Sequence, residues 1–205
     1  MIPATEALAR LSDGNRRFAD ETTVHSGSSY RSRRLETAPN QEPFAVILGC
    51  SDSRVPAEIV FDQGLGDLFV IRVAGNIVAP SQVGSVEFAA ARTGARLVVV
   101  LGHSRCGAIL ATLEEMGRPS TDQSRNLRSI VERIRPAIEP VLLTQISRTD
   151  DALIRRAVRA NVLASANHLR HGSEVLERLI QTDGLLIVGA EYCLETGLVE
   201  FFDGV

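Results

Sequence analysis

Four short runs of apolar residues stand out from the rest of the chain. Each is four to six residues long, rich in β-branched side chains and nearly free of polar ones. Runs of this kind are typical of β-strands that are buried on both faces of a sheet. The runs are Phe44–Leu48, Leu68–Val73, Leu97–Leu101 and Leu185–Val188.

Segments with a helical spacing of apolar residues lie between these runs: Val83–Arg92, Ala108–Met116, Arg125–Ile138 and Asp151–Gln181. Alternation of strands and helices predicts an α/β fold with a central, mostly parallel sheet flanked by helices. A last strand, Leu198–Phe202, follows a turn at Glu195-Thr196-Gly197 and is expected to form a hairpin at the sheet edge. The prediction is therefore four parallel strands plus an antiparallel edge strand.

The N-terminal segment has a helical pattern of a different kind. Its apolar face is narrow, and the helix is expected to be too exposed to belong to the core of one subunit. We therefore predict an arm that packs on a partner subunit, followed by a polar loop at Ser26–Glu42. We expect a single domain over residues 1–205, with arm and loop at 1–40 and an α/β core at 41–205. The apolar positions of the arm are Ala4, Leu8, Leu11 and Phe18.

Composition narrows the class of partner. The formal net charge is −3 over 205 residues, which gives no electrostatic reason to expect nucleic acid or an anionic membrane. No apolar run reaches the roughly 18 residues that a membrane-spanning helix needs, and the N-terminus lacks the apolar centre of a secretory signal. These features predict a cytoplasmic protein.

The chain has three cysteines, at positions 50, 106 and 193, which are candidates for functional side chains. An odd and low number in a chain expected to be cytoplasmic argues against a disulfide framework. Metal binding, nucleophilic catalysis and simple burial remain as the possible uses.

Two of the apolar runs lead directly into possible metal ligands. Cys50 follows the first run, and the third run leads to His103, with Cys106 three residues later. Because parallel strands place their carboxyl ends at one edge of a sheet, these side chains can converge on a zinc ion, which favours thiolate and imidazole ligands. The alternatives are buried cysteines or a disulfide, and a histidine that satisfies a backbone carbonyl.

The residues around these ligands resemble the two signature motifs of the β-class carbonic anhydrases. The motifs are Cys50-Ser51-Asp52-Ser53-Arg54 and His103-Ser104-Arg105-Cys106-Gly107, each after a predicted buried strand. The resemblance extends along most of the chain, through Gly14–Phe18, Asp62–Asp67, Arg72–Asn76, Tyr192, Thr196-Gly197 and Phe201. It implies reversible hydration of carbon dioxide to bicarbonate and a proton, in a homo-oligomer that is a dimer or a dimer of dimers.

The resemblance also implies roles for residues of the site. One Zn²⁺ per subunit is held by Cys50, His103 and Cys106, and zinc-bound hydroxide attacks carbon dioxide. Asp52 and Arg54 are the expected catalytic residues, because a carboxylate paired with the guanidinium can orient that hydroxide. Without that pairing, Asp52 can instead become a fourth ligand and close the site. The backbone N–H of Gly107 is expected to bind substrate oxygen, although close packing is a second reason for a glycine there.

Three further residues are implied as the lining of the substrate pocket. Gln41 and Phe69 match a glutamine and a phenylalanine of the plant-like subtype, whereas Phe88 stands where that subtype has tyrosine. Gln41 and Phe88 are expected to reach the pocket from a second subunit, and core packing is an alternative for Phe69 and Phe88. Ile47 occupies the position of a tryptophan in the bicarbonate-inhibited subtype, which favours the open form of the site.

Other functions are compatible with the same motifs. Proteins similar to β-carbonic anhydrases also hydrolyse carbonyl sulfide or carbon disulfide with the same kind of zinc site. A non-catalytic zinc protein that serves as an interaction module is a second alternative, and a redox dithiol formed by Cys50 and Cys106 is a third.

Overall fold

The computed structural model describes residues 2–24, 30–116, 124–143 and 151–205. Its strands form one sheet in the order β2-β1-β3-β4-β5, with the first three pairings parallel and the β4–β5 pairing antiparallel. The predicted arrangement of four parallel strands and an antiparallel edge strand is confirmed. The strands are β1 (Ala45–Gly49), β2 (Leu68–Arg72), β3 (Leu97–His103), β4 (Leu186–Tyr192) and β5 (Val199–Asp203).

Helices cover both faces of the sheet. They are α1 (Ala4–Ala19), α2 (Tyr30–Thr37), α3 (Ala57–Val60), α4 (Pro80–Phe88), α5 (Gly107–Glu115), α6 (Arg125–Leu142), α7 (Asp151–His171) and α8 (Glu174–Thr182). A 3₁₀ turn at Ala74–Asn76 follows β2, and a π-helical turn at Ala89–Thr93 continues α4. The predicted helix at Val83–Arg92 therefore begins earlier, at Pro80, since proline suits the first turn of a helix.

The single helix predicted for Asp151–Gln181 is wrong, because α7 ends at His171 and a separate helix, α8, begins at Glu174. Ser173 caps a new helix there: its hydroxyl accepts a hydrogen bond from the backbone N–H of Leu176 at 3.2 Å. The same hydroxyl donates to Glu87 at 2.6 Å. Gly172-Ser173 is a sequence signal for this break, because glycine commonly ends a helix and serine commonly caps the next one.

The loop predicted for Ser26–Glu42 is also wrong in part. Positions 26–29 lie outside the described residues, but Tyr30–Thr37 forms α2. None of the residues of α2 is buried, and the helix is attached by polar contacts. Arg33 donates to the carboxylate of Asp67 at 2.9 Å and to a backbone carbonyl of the same loop. A helix held in this way has no apolar face that a hydrophobic pattern could reveal.

Helix α1 packs on the sheet of its own chain. Ala7 and Leu11 are fully buried against the core, so the expectation that this helix is too exposed for the core is wrong. Asn15 fixes the same contact, because its amide donates to backbone carbonyls of Val60 at 3.1 Å and Gly197 at 2.9 Å. Packing of α1 on a partner subunit stays a prediction.

Alternate residues of the strands build two separate hydrophobic clusters. Val46 and Leu48 of β1 face the cluster that is covered by α7 and α8. Ala45 and Ile47 face the opposite cluster, which α1 and α3 cover. Burial on both faces explains why these strands are continuous apolar runs rather than alternating ones. Within the described ranges, no helix combines the length and the apolarity that crossing a membrane requires.

We expect Gly14→Ala to destabilise the protein by about 1–3 kcal/mol, as overpacked core positions do. A β-carbon at Gly14 would lie 1.9 Å from the backbone oxygen of Phe61, so α1 would have to move away from α3. Denaturant unfolding measures this change. Asp13→Ala is the matched control on the same helix, since its exposed pair with Arg16 contributes little. Equal stability of the two variants would contradict the packing described for α1.

Candidate metal centre

The sheet brings the three predicted ligands together. Cys50 follows β1 and His103 ends β3, and the parallel register that pairs Gly49 with Leu101 places their ends side by side. Cys106 is the residue just before α5. The ligand atoms of the three side chains all lie within 4.8 Å of one another, and all three residues are buried. This spacing is suited to a single metal ion.

His103 is oriented with one ring nitrogen towards this point. Its Nδ1 lies 2.9 Å from the backbone oxygen of Ser104 and donates to it, which leaves Nε2 with its lone pair. Nε2 is buried and has no hydrogen-bond partner among the described residues. Because buried polar atoms are nearly always satisfied, this nitrogen fits a metal ligand and not a structural histidine.

The thiols of Cys50 and Cys106 share a hydrogen bond. The hydrogen bond from the Cys106 thiol is the main cause that lowers the pKa of Cys50 to about 4, and the hydrogen bond from the Gly75 amide adds to it. The same bond, together with burial, raises the pKa of Cys106. Two cysteine sulfurs and an imidazole nitrogen form a donor set that zinc prefers.

A glycine turn supports Cys50 from the side. Gly75 has φ of +70°, and its backbone N–H lies 3.3 Å from the sulfur of Cys50. Its carbonyl accepts a hydrogen bond from the amide of Asn161 at 2.7 Å. A β-carbon at Gly75 would lie 2.7 Å from Ile134 and 3.0 Å from Ala108, so both conformation and space require glycine.

Asp52 and Arg54 form the predicted pair beside the ligands. Nε and Nη2 of Arg54 donate to the two carboxylate oxygens of Asp52 at 2.9 and 2.8 Å, and the Arg54 backbone N–H donates at 3.0 Å. These hydrogen bonds hold the pKa of the Asp52 carboxyl well below its usual range. Asp52 Oδ2 lies 3.9 Å from Nε2 of His103, so the ionised carboxylate faces the ligand cluster while it stays paired with arginine.

Arg72 is a residue of this site that the sequence reasoning missed. Its guanidinium donates to the backbone oxygens of Cys50 at 3.1 Å and Asp52 at 2.6 Å. It therefore fixes the loop that carries the first motif to the end of the neighbouring strand. The available signal was a lone arginine inside an otherwise apolar strand, where a charge needs a specific partner.

Gly107 begins α5 directly after the ligand Cys106. A β-carbon at Gly107 would meet no heavy atom of the described chain within 4 Å, so close packing does not explain this glycine. Open space in front of a helix N-terminus, where backbone N–H groups are available, suits the approach of an anionic or polarised ligand.

Within one chain, the predicted pocket residues do not assemble around the metal ligands. Gln41 and Phe88 line a cavity of about 610 Å³ near the amino ends of the strands, whereas the ligands lie at the carboxyl ends. Phe69 contacts Phe88, with ring centroids 6.1 Å apart, and packs against the core. Any part that Gln41 and Phe88 play in substrate binding therefore depends on a second subunit.

Comparison with known proteins agrees with this geometry. Residues 45–199 match the family model described as carbonic anhydrase. Carbonic anhydrase 2 of Mycobacterium tuberculosis is 40% identical over 199 residues, covering 96% of this chain and 93% of its own length. The carbonic anhydrase of Mycolicibacterium smegmatis is 38% identical, with 95% and 91% covered. The chain belongs to the carbonic anhydrase family.

Solved structures identify the class within the carbonic anhydrase family. The β-carbonic anhydrase CafA of Aspergillus fumigatus superimposes with a TM-score of 0.75 at 26% identity, covering 98% of this chain and 91% of CafA. A tetrameric β-carbonic anhydrase of Sordaria macrospora shares the fold, with a TM-score of 0.72 at 21% identity and 96% and 97% covered. The predicted membership of the β class is thereby confirmed.

We expect Gly75→Ala to lower the affinity for zinc by about 10-fold or more, the range found when groups that support a metal ligand are altered. The added methyl group displaces the N–H that contacts Cys50. Competition with a chromophoric chelator measures the affinity. Gly107→Ala is the matched control, because it adds the same methyl group into open space beside another ligand. Equal affinities of the two variants would contradict the role given to Gly75.

Proposed function

We propose that this protein is a zinc-dependent carbonic anhydrase that reversibly hydrates carbon dioxide to bicarbonate and a proton. The observation that carries the proposal is the buried convergence of Cys50, His103 and Cys106 around an unpaired imidazole nitrogen. The alternative substrates carbonyl sulfide and carbon disulfide are not favoured, since the matching relatives are named carbonic anhydrases.

Zinc at this cluster would be held by the two sulfurs and Nε2 of His103. Three protein ligands would leave the ion open to solvent, as expected of a catalytic and not a structural zinc site. When bound, the ion supplies a Lewis acid that lowers the pKa of water and so provides a nucleophile at neutral pH.

Asp52 is proposed to orient the nucleophile. Its carboxylate stays ionised because Arg54 lowers its pKa, so it can only accept a hydrogen bond from the attacking oxygen. The bidentate contact with Arg54 holds the carboxylate in one plane and opposes its movement into the fourth ligand position. The backbone N–H of Gly107 is proposed to bind the substrate oxygen on which negative charge develops.

The pocket residues Gln41 and Phe88 lie away from the ligands of their own chain. We propose a homo-oligomer, either a dimer or a dimer of dimers, in which Gln41 and Phe88 complete the pocket of the neighbouring subunit and Phe69 lines it. The tetrameric structures from Sordaria macrospora support an assembly of this kind. We also propose that the chain acts as one domain and works in the cytoplasm.

The direct test is a zinc assay combined with stopped-flow measurement of carbon dioxide hydration on the purified protein. We expect about one zinc per chain and hydration that is lost with the metal in Cys50→Ser. Cys193→Ser is the control, because its sulfur is outside the ligand cluster. Absence of zinc would support the dithiol alternative, and zinc without hydration would contradict the proposed activity.

We expect Asp52→Asn to lower the hydration rate by about 10²-fold or more, as loss of an oriented hydrogen-bonding group does in other enzymes. Asparagine preserves the shape of the side chain but removes the charge that Arg54 holds. Zinc content should remain unchanged. Asp13→Asn is the control for a general charge effect, and full activity of Asp52→Asn would exclude the orienting role.

The rate of hydration is expected to rise with pH. The fall in rate towards acid pH should persist in Asp52→Asn. The folded pKa of Asp52 is depressed, so the contribution of its carboxylate is present above its ordinary pKa of about 3.9 and lost only in stronger acid. The fall in rate towards acid pH is therefore expected to come from protonation of the group that supplies the attacking oxygen. A pH–rate profile of both proteins tests this, and a flat profile for Asp52→Asn would identify Asp52 as the titrating group.

A further inference from the structure

The loop between two of the ligands is held in an unfavourable conformation. Ser104 and Arg105 separate His103 from Cys106, and Arg105 has φ of +53°. Residues other than glycine adopt this left-handed region at a cost and keep it only where surrounding contacts impose it. The contacts that impose it here come from the turn between β4 and β5.

Glu195, in that turn, gathers three donors on one carboxylate. Its Oε1 lies 2.9 Å from Nε of Arg105. Its Oε2 accepts hydrogen bonds from the hydroxyl of Ser104 at 3.1 Å and from the thiol of Cys193 at 3.4 Å. Both residues of the ligand loop are therefore bound by the same side chain.

Ser104 transmits this contact to the metal ligand. Its hydroxyl donates to Glu195 and accepts from the backbone N–H of Leu194 at 3.0 Å, and its own backbone N–H donates to Tyr192 at 2.9 Å. Its backbone oxygen accepts from Nδ1 of His103. The orientation of the imidazole thus depends on a residue whose side chain and backbone are both fixed from β4 and the following turn.

We propose that Glu195 is a positioning residue of the metal centre, which acts through Ser104 and Arg105 to aim His103 and Cys106 at the ion. Groups that orient metal ligands typically alter metal affinity by 10–100-fold when removed. The inference rests on the proposed zinc site and adds to it a carboxylate that is not one of the three ligands.

If Glu195 had only a structural role, its removal should have the same effect on zinc binding as removal of another ion-paired carboxylate. The same hairpin offers such a residue as a matched control. Glu200, in β5, is exposed to a similar extent, at 55% against 48% for the Glu195 side chain. It too pairs with arginines, Arg155 and Arg159, but among the described residues it forms no hydrogen bond or ion pair with Ser104 or Arg105. Loss of Glu200 therefore reports the effect of removing an ion-paired carboxylate that joins the hairpin to α7.

The experiment measures zinc affinity by chelator competition, and the visible spectrum of the Co²⁺-substituted protein, which reports ligand geometry. We expect Glu195→Ala to weaken zinc binding by about 10-fold and to change the cobalt spectrum. Glu200→Ala should leave both at wild-type values. Glu195→Gln should lie between wild type and Glu195→Ala, because its amide oxygen can still accept from Ser104 while the charge opposite Arg105 is lost.

A double-mutant cycle tests the route through Ser104. We expect Ser104→Ala to weaken binding, and Ser104→Ala with Glu195→Ala to be less than additive, since one contact is removed twice. Additive effects, or identical results for Glu195→Ala and Glu200→Ala, would overturn the proposal. Failure of the proposed function is recognised separately, because it would appear in the wild-type protein as absent zinc or absent hydration.

Discussion

The parallel register between β1 and β3 is the constraint on which the site depends. Pairing of Gly49 with Leu101 puts the residue after one strand beside the last residues of the other, so that Cys50 and His103 meet. A slip of one residue would turn every side chain of the strand to the opposite face of the sheet. Burial of both faces opposes such a slip, and the hydrophobic clusters therefore fix the ligand geometry as well as the fold.

Strand register alone does not orient the loops that carry the ligands. The first loop is held by Arg72, which donates to two of its backbone oxygens. The second is held by Glu195, which accepts from the side chains of both of its residues. Arg72 belongs to β2, on one side of β1 and β3, and Glu195 belongs to the turn after β4, on the other side. The ligands thus come from the ends of β1 and β3, whereas the residues that hold the ligand loops come from β2 and from the turn after β4, which supply no ligand.

Much of this could be predicted from the sequence because its signals are local. Apolar runs revealed the strands, and ligand types at their ends revealed the metal centre. The burial of α1, the existence of α2 and the role proposed for Glu195 could not be predicted, since they depend on contacts between distant segments. Arg33 and Asp67 illustrate this: their ion pair attaches α2 across 34 positions, and neither residue is unusual in its own segment.

The geometry of the sheet also constrains where the pocket residues can act. Gln41 precedes β1 and Cys50 follows it, and a strand of five residues spans roughly 17 Å at about 3.3 Å per residue. That distance exceeds the reach of a glutamine side chain by several-fold. Phe88 lies beside Gln41 at the same end of the sheet. A substrate pocket that contains these two residues would therefore have to be shared between chains, so the pocket proposed here depends on the proposed assembly.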